Sequence, residues 1–270
     1  MGLLHDLNSF LEDLGYSMIN IEALHRSFDG NAVLKGVSLD IKKGEVIALI
    51  GGSGSGKSVL LKHVAGLMKA DTGRIIVDGI DISRVTGRKL RDFRDRLGVL
   101  FQGGALFDSM TVFENVAFPL KEKTKLSDDL ICERVFKELE NVGLTGSEHK
   151  YPSQISGGMV KRAAIARALV MDPEIMLFDE PTTGLDPVIG LSILQLIHSC
   201  HMRLSFTGII VTHEIPRVFG FVNRVAMLNE GGIRVEGTPE EFIDSSDPIV
   251  RTFLGEGYKY SSDEKFGRSN

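Results

Sequence analysis

The sequence lacks four features that would assign it to particular classes of protein. Its 270 residues include only two cysteines, Cys132 and Cys200, which lie far apart and show no pairing pattern, as suits a reducing cytoplasm. No run approaches the roughly 18 apolar residues of a membrane-spanning helix, and the N-terminus lacks the basic-then-apolar pattern of a signal peptide. Basic residues are not in excess: the net charge of −5 argues against a nucleic-acid partner. The composition predicts a soluble globular protein with one large core, or a core and a subdomain.

The most informative feature present is a glycine-rich loop before a lysine, Gly-Gly-Ser-Gly-Ser-Gly-Lys-Ser. An apolar run typical of a buried strand precedes it and a helix-like stretch follows, which is the context of a phosphate-binding loop rather than of a turn with a surface lysine. Glycines let backbone N–H groups converge on phosphate, and the helix N-terminus adds a partial positive charge. We expect Lys57 to reach the terminal phosphates and the Ser58 hydroxyl to bind Mg²⁺. The predicted nucleotide-binding residues here are Gly51, Gly52, Ser53, Gly54, Ser55, Gly56, Lys57, Ser58 and Val59.

A second apolar run, at residues 175–178, ends in two carboxylates, Asp179 and Glu180. A buried parallel strand presents such residues at its carboxyl end, where open α/β sheets hold their ligands. We expect Asp179 to bind Mg²⁺, directly or through water, and Glu180 to orient and deprotonate the attacking water. Phosphoryl transfer needs little beyond positioning and charge neutralisation. Alone, the pattern also fits a strand ending in a polar turn; together with the phosphate-binding loop it favours an NTPase.

A third segment reads Ser-Gly-Gly and precedes an alanine-rich helix; its residues are Ser156, Gly157 and Gly158. The serine can cap that helix, and the glycines let N–H groups approach an anion closely. At this place in the order the chain resembles the ABC transporter ATPase family, whose signature is Leu-Ser-Gly-Gly-Gln. Here Ile155 replaces the leucine and Met159 the glutamine, whereas the Ser-Gly-Gly that touches phosphate in the family is intact.

Other positions match the family's motifs in order, from about Met18 to about Phe253. The resemblance implies that Gln102 senses Mg²⁺ and water and faces a membrane partner, and that residues 183–186 cross a dimer interface. It also implies that His213 contacts the γ-phosphate and that Phe28 stacks on adenine. The cofactors implied are ATP and Mg²⁺. The implied catalytic residues are Glu180, His213, Gln102 and Lys57, and the implied metal ligands are Ser58, Gln102 and Asp179.

The family's fold is an α/β P-loop NTPase with a RecA-like parallel core sheet, an N-terminal antiparallel β subdomain and an inserted helical subdomain. The corresponding limits are an N-terminal extension at 1–17, a nucleotide-binding domain at 18–254 with its helical subdomain at about 103–171, and a polar tail at 255–270. In the extension, apolar residues recur at helical spacing between residues 3 and 14. We interpret them as an amphipathic helix that packs on protein; packing on a membrane surface and a wrongly chosen start codon are the alternatives.

The segment from Gln102 to Leu120 bears on the substrate. Its Gly-Gly-Ala after the glutamine, its Phe-Pro-Leu end, and the later Ser-Gly-Gly-Met-Val-Lys-Arg at 156–162 resemble the ATPase of Mla/Mce-type phospholipid transporters. That subfamily belongs to Gram-negative envelopes and is linked to organic solvent tolerance. The resemblance implies a homodimer of ATPase subunits, two integral-membrane permease subunits and a periplasmic Mce-type lipid-binding protein. It also implies a location on the cytoplasmic face of the inner membrane, with the membrane-spanning part in another chain.

Several alternatives stay open. Generic variation within the ABC family would also explain the segment, and importers or exporters of amino acids, metals or lipoproteins share every catalytic residue. A soluble ABC ATPase of DNA repair or translation is disfavoured, because no long coiled-coil insertion, second cassette or basic surface is present. A metal site at His198, Cys200 and His201 is also disfavoured, since a helix places the cysteine apart from the two histidines.

Overall fold

The computed structural model describes residues 16–255, which fall into two compact units. The first unit comprises the described residues up to Arg91 and from Phe206 onward, and the second comprises residues 92–205. The amphipathic helix predicted at residues 3–14 and the polar tail beyond Gly255 lie outside the described residues.

The strands in chain order are β1 (Ser17–Phe28), β2 (Asn31–Lys42), β3 (Val46–Ile50), β4 (Thr72–Val77), β5 (Ile80–Asp81), β6 (Leu97–Leu100), β7 (Ile175–Asp179), β8 (Thr207–Val211), β9 (Arg224–Asn229) and β10 (Gly232–Gly237). The helices are α1 (Lys57–Val64), α2 (Gly87–Asp95), α3 (Val112–Lys123), α4 (Asp128–Asn141), α5 (Gly157–Leu169), α6 (Pro187–Leu204), α7 (Pro239–Ile243) and α8 (Pro248–Leu254). None of the helices within residues 16–255 has both the length and the apolar character required to cross a bilayer.

The first unit contains two groups of strands. An antiparallel sheet has the order β2-β1-β4-β5, and a second group has the order β10-β9-β3-β8. In the second group, β3 pairs in parallel with both β8 and β9, while β9 and β10 form an antiparallel hairpin. Every residue of β3 and β8 is buried, because a parallel strand covered on both faces requires a continuous apolar run. The strand predicted before the glycine-rich loop is therefore confirmed.

The second unit packs helices α3 to α6 with a parallel pair of strands, β6 and β7. All five residues of β7 are buried. Each of these helices starts at a side chain that accepts a backbone N–H of the first turn: Thr111, Ser127, Ser156 and Asp186. The cap predicted at Ser156 is confirmed. Helices α3, α4 and α5 occupy most of the region predicted to be the helical subdomain, whose limits stay a prediction.

A buried asparagine on α3 fixes the loop that precedes the helix. Asn115 has no exposed surface. Its Oδ1 accepts the backbone N–H of Phe107 at 2.8 Å, and its Nδ2 donates to the carbonyls of Phe107, Met110 and Thr111 at 3.1, 3.1 and 3.0 Å. One side chain thus replaces the regular backbone pairing that this irregular segment cannot form for itself.

Replacing Asn115 with alanine should therefore destabilise the second unit. The change removes the hydrogen bonds of the Asn115 side chain to part-buried backbone groups of residues 107–111, and we expect the free energy of unfolding to fall by about 2–4 kcal/mol in urea denaturation. Hydrogen exchange of residues 103–111 should rise in the same variant. Asn141→Ala is the matched control, since the half-buried Asn141 donates to the Glu138 carboxylate at 2.9 Å and its loss should cost about 1 kcal/mol. Equal losses in the two variants would contradict the role of Asn115.

Candidate functional site

The glycine-rich loop runs from the end of β3 to the start of α1 and closes around its own lysine. The Lys57 side chain is only 7% exposed. Its Nζ donates to the carbonyl oxygens of Gly51 and Gly52 at 2.8 and 2.9 Å. Gly52, Ser53 and Gly54 are exposed at the crown of the loop. The loop therefore has a buried cation inside and a solvent-exposed backbone outside, which suits an anion with several oxygens.

Two glycines of the loop are required by its backbone. Gly51 has φ 148°, and a Cβ there would meet the carbonyl oxygen of Leu228 in β9. Gly56 has φ 103° and is the N-cap of α1, where a Cβ would lie 3.0 Å from Leu34. Because glycine adopts positive φ without steric cost, the path of the loop depends on these two positions. Gly52, in contrast, has open space around the place of a Cβ.

Phe28, predicted to stack on adenine, ends β1 and is half-buried. The guanidinium carbon of Arg26 lies 4.7 Å from the centre of its ring, and Arg26 is in turn paired with Asp71 at 2.7 Å. Arg26 was not identified as a functional residue from the sequence. Residues two apart in a strand point to the same face, so the spacing of Arg26 and Phe28 could have indicated this contact. One face of the ring is therefore covered by a cation.

The predicted switch histidine, His213, is exposed and comes two residues after the end of β8. The preceding Thr212 is buried, and its hydroxyl accepts the backbone N–H of Glu214 at 3.0 Å. This hydrogen bond joins the two neighbours of His213 and so fixes the backbone on both sides of it.

The second unit brings Gln102 and Glu180 together. Asp179 ends β7 and is 6% exposed, and Glu180 follows it with φ 51°. Glu180 Oε2 accepts a hydrogen bond from the Thr183 hydroxyl at 2.7 Å and from Gln102 Nε2 at 3.4 Å. The left-handed backbone at a non-glycine residue is sterically costly and is common at functional sites. Sequence reasoning did not identify Thr183 as a partner of this carboxylate.

A buried lysine, also missed from the sequence, accompanies these carboxylates. Lys161 of α5 is 5% exposed. Burial lowers the pKa of its ammonium group, and the negative charges of Glu180 and then Asp179 act in the opposite direction. The alanine-rich sequence around it gave no sign that this charge lies inside the protein.

The Ser-Gly-Gly segment forms the start of α5. Ser156 Oγ accepts the N–H of Met159 at 3.3 Å, and Ser156 and Gly157 are exposed. Gly158 is buried, and a Cβ there would lie 2.7 Å from Ile189 of α6. The second glycine is thus required for helix packing, whereas the first leaves backbone exposed near the helix N-terminus.

The predicted site residues are divided between the two units. The first unit holds the loop, Phe28 and His213, and the second holds Gln102, Asp179, Glu180 and residues 156–158. The model of the ABC transporter family matches residues 34–183, more than half of the chain. The chain belongs to the ABC transporter family.

Three ABC transporter proteins are similar in sequence to this chain over most of its length. A probable ribonucleotide transport ATP-binding protein, mkl of Mycobacterium leprae, is 44% identical over 236 residues, which are 87% of this chain and 68% of that protein. The intermembrane phospholipid transport ATP-binding protein MlaF of Haemophilus influenzae is 39% identical over 89% of this chain and 91% of its own length. The methionine import ATP-binding protein MetN of Clostridium acetobutylicum is 40% identical over 88% of this chain and 74% of its own length.

A solved ABC structure agrees with the fold. The dimeric ATP-binding cassette MJ0796, in a post-hydrolysis state bound to ADP and Pi, superimposes with a TM-score of 0.76 at 32% identity, over 82% of this chain and 99% of its own. The ABC ATPase architecture predicted from the sequence is confirmed, and the protein is an ATP-binding ATPase.

Alanine at Gly51 and at Gly52 should separate the two roles of the loop glycines. Gly51→Ala forces an L residue into unfavourable backbone and onto the Leu228 carbonyl, and should destabilise the first unit by about 2 kcal/mol or more. Gly52→Ala meets no atom within 4 Å, and its effect should stay within about 0.5 kcal/mol. Thermal melting without nucleotide compares the two, and coincident melting curves would contradict the packing argument.

Proposed function

We propose that this ABC ATPase drives phospholipid transport between the inner and outer membranes of a Gram-negative envelope. The observation that carries the proposal is a group of four phenylalanines in the second unit, here called the aromatic surface: Phe107 and Phe118 form one pair of rings, and Phe113 and Phe136 form another. Phe107 packs on Phe118 with ring centres 5.0 Å apart, and Phe113 packs on Phe136 at 5.5 Å. Phe107 and Phe136 remain 42% and 47% exposed. Paired rings left open to solvent fit an apolar helix of a membrane partner.

The sequence of this surface supports a lipid transporter. Three of its four rings, Phe107, Phe113 and Phe118, belong to the segment whose Gly-Gly-Ala and Phe-Pro-Leu resemble Mla/Mce-type ATPases, and the MlaF relative matches over nearly its full length. The protein would act at the cytoplasmic face of the inner membrane with two permease chains and a periplasmic Mce-type lipid-binding protein. A role in organic solvent tolerance would follow from the same lipid transport.

The chemistry assigned to the residues is ATP hydrolysis by an activated water. Lys57 and the N–H groups of the loop neutralise the phosphates, and Phe28 offers the ring face opposite Arg26 to adenine. Glu180, held by Thr183 and Gln102, orients the attacking water and accepts its proton. His213 contacts the γ-phosphate.

The predicted metal ligands of the proposed site carry oxygen donors that suit Mg²⁺. The Ser58 hydroxyl, the Asp179 carboxylate and the Gln102 amide offer hard oxygen atoms, and Mg²⁺ that also binds phosphate and water needs few protein ligands. Within residues 16–255 there is no cluster of three or more His, Cys, Asp and Glu side chains able to cage a metal. When bound, the ion would neutralise charge on the phosphate oxygens.

Two copies would close head to tail around two ATP molecules. The exposed Ser156 and Gly157 at the N-terminus of α5 are suited to the γ-phosphate bound by the other copy. The dimeric form of the cassette MJ0796, bound to ADP and Pi, supports a dimer of this chain. Closure would move the aromatic surface and thereby the permease.

Transport of another solute is the second candidate function. The 44% identity to the mkl protein and the 40% identity to MetN match or exceed that to MlaF. Such a transporter would use the same hydrolytic residues, so only its partners and cargo distinguish it.

Glu180→Gln should bind ATP normally but hydrolyse it about 10²–10⁴ times more slowly, because the general base is lost. With ATP and Mg²⁺ it should accumulate as a dimer in analytical ultracentrifugation, whereas without nucleotide it is monomeric or weakly dimeric. Lys57→Ala is the matched control and should fail to bind ATP and stay monomeric. Unimpaired turnover, or a monomer under saturating ATP, would count against the assignment.

The substrate is tested by purifying the tagged chain from its native membrane. We expect two permease chains, an Mce-type protein and phospholipid to be recovered with it. Phe107→Asp should lose these partners because a charge replaces a ring of the aromatic surface. Met202→Asp, at an exposed apolar residue of α6, should keep them. An amino-acid-type permease with a soluble binding protein and no lipid would overturn the lipid proposal and leave the ATPase chemistry intact.

A further inference from the structure

Arg26 contacts the Phe28 ring with its guanidinium group. The guanidinium carbon lies 4.7 Å from the centre of the ring. The Nε of Arg26 is buried and has no hydrogen-bond partner among the described residues, and the side chain as a whole is 28% exposed. A buried nitrogen without a hydrogen bond is disfavoured unless another interaction offsets the cost, and a cation on the face of an aromatic ring is such an interaction. The contact with the ring therefore accounts for the position of this arginine.

Asp71 holds Arg26 on the ring. Its Oδ1 accepts a hydrogen bond from Arg26 Nη1 at 2.7 Å, and its Oδ2 accepts the backbone N–H of Ser27 at 2.7 Å. The backbone N–H of Asp71 donates to the carbonyl of His25 at 2.9 Å. One residue therefore fixes both the side chain of Arg26 and the backbone of β1 on either side of it.

The hairpin that carries Phe28 lies against the glycine-rich loop. Phe28 is the last residue of β1 and is opposite Asn31 of β2 across a tight turn. Further along the same two strands Arg26 is opposite Leu34, and a Cβ on Gly56 of the loop would lie 3.0 Å from the Leu34 side chain. A ring that is fixed at this end of the hairpin therefore has a set position relative to the loop.

We infer that Arg26 is a positioning residue for the adenine base of ATP that acts through Phe28. The inference rests on the proposed function, in which Phe28 stacks on adenine. A ring without support can turn about its side-chain torsions, and binding a base would then carry the entropic cost of fixing it. Arg26 covers one face of the ring and fixes its orientation before ATP binds, so that the opposite face is ready for the base. Asp71 contributes by holding Arg26.

This role predicts a loss of affinity that is confined to the base. Arg26→Met keeps an unbranched side chain beside the ring but removes the cation and its bond to Asp71. ATP should therefore bind more weakly, whereas inorganic triphosphate, which has no base to stack, should bind as it does to the native chain. A role of Arg26 in the stability of the sheet alone would not separate these two ligands. A direct contact between Arg26 and phosphate would weaken the binding of both.

The experiment measures the dissociation constants of ATP and of inorganic triphosphate, each with Mg²⁺, by calorimetry on the full-length chain. We expect Arg26→Met to weaken ATP binding about three- to tenfold, and triphosphate binding to stay within about twofold of native. Arg26→Lys keeps a cation that can cover the ring and should recover part of the loss. Arg74→Met is the matched control, because Arg74 of β4 is paired with Glu22 in the same sheet, and it should leave both constants unchanged.

A double-mutant cycle with Phe28→Ala tests whether Arg26 acts through the ring. In the Phe28→Ala background, Arg26→Met should weaken ATP binding by less than about twofold, since the ring that it positions is gone. An equal loss in both backgrounds, native ATP affinity in Arg26→Met, or a matching loss of triphosphate affinity would overturn the inference. If Phe28→Ala alone binds ATP as tightly as the native chain, the proposed stacking on adenine is wrong and the inference falls with it. If Phe28→Ala binds weakly and Arg26→Met does not, only the role of Arg26 is wrong.

Discussion

The hydrogen bonds from Lys57 to the carbonyls of Gly51 and Gly52 are the interaction on which the first unit's chemistry depends. They turn two carbonyl oxygens inward, so that the crown of the loop is left to present its N–H groups. This inward orientation of the carbonyls is possible only because Gly51, which has no Cβ, passes close to the carbonyl oxygen of Leu228. Leu228 lies in β9, directly beside β3. The strands therefore shape the loop through backbone packing, before any nucleotide binds.

The second unit also buries a lysine, here in the field of carboxylates rather than against carbonyl oxygens. Glu180 is held in a costly backbone conformation by Thr183 and Gln102, and a buried ammonium group lies within the field of the same carboxylate. Within residues 16–255, Lys57 of the first unit and Lys161 of the second are both buried. Burial makes both lysines effective, because charges interact more strongly away from water.

The parts of the structure that could be predicted from sequence are those set by local chemistry. The apolar runs of β3 and β7, the serine caps at Ser127 and Ser156, and the capping box of Thr238 with Glu241 follow from neighbouring residues alone. Contacts made across elements were missed. The burial of Lys161 and the approach of Ile189 to Gly158 require the folded helices. Their residue types are ordinary, so no spacing could have revealed them.

Helix α5 also has a mechanical consequence. Near its C-terminal end, Arg167 donates to the carbonyl of Gly104 at 2.9 Å and lies over the Phe107 ring, 5.7 Å from its centre. A rigid rod of 13 residues therefore joins the Ser-Gly-Gly end to the aromatic surface. If a permease binds that surface, as proposed, a pull on it would be transmitted along α5 to the Ser-Gly-Gly segment. Grafting another transporter's segment onto this chain would transmit force only if the graft kept a carbonyl within reach of Arg167.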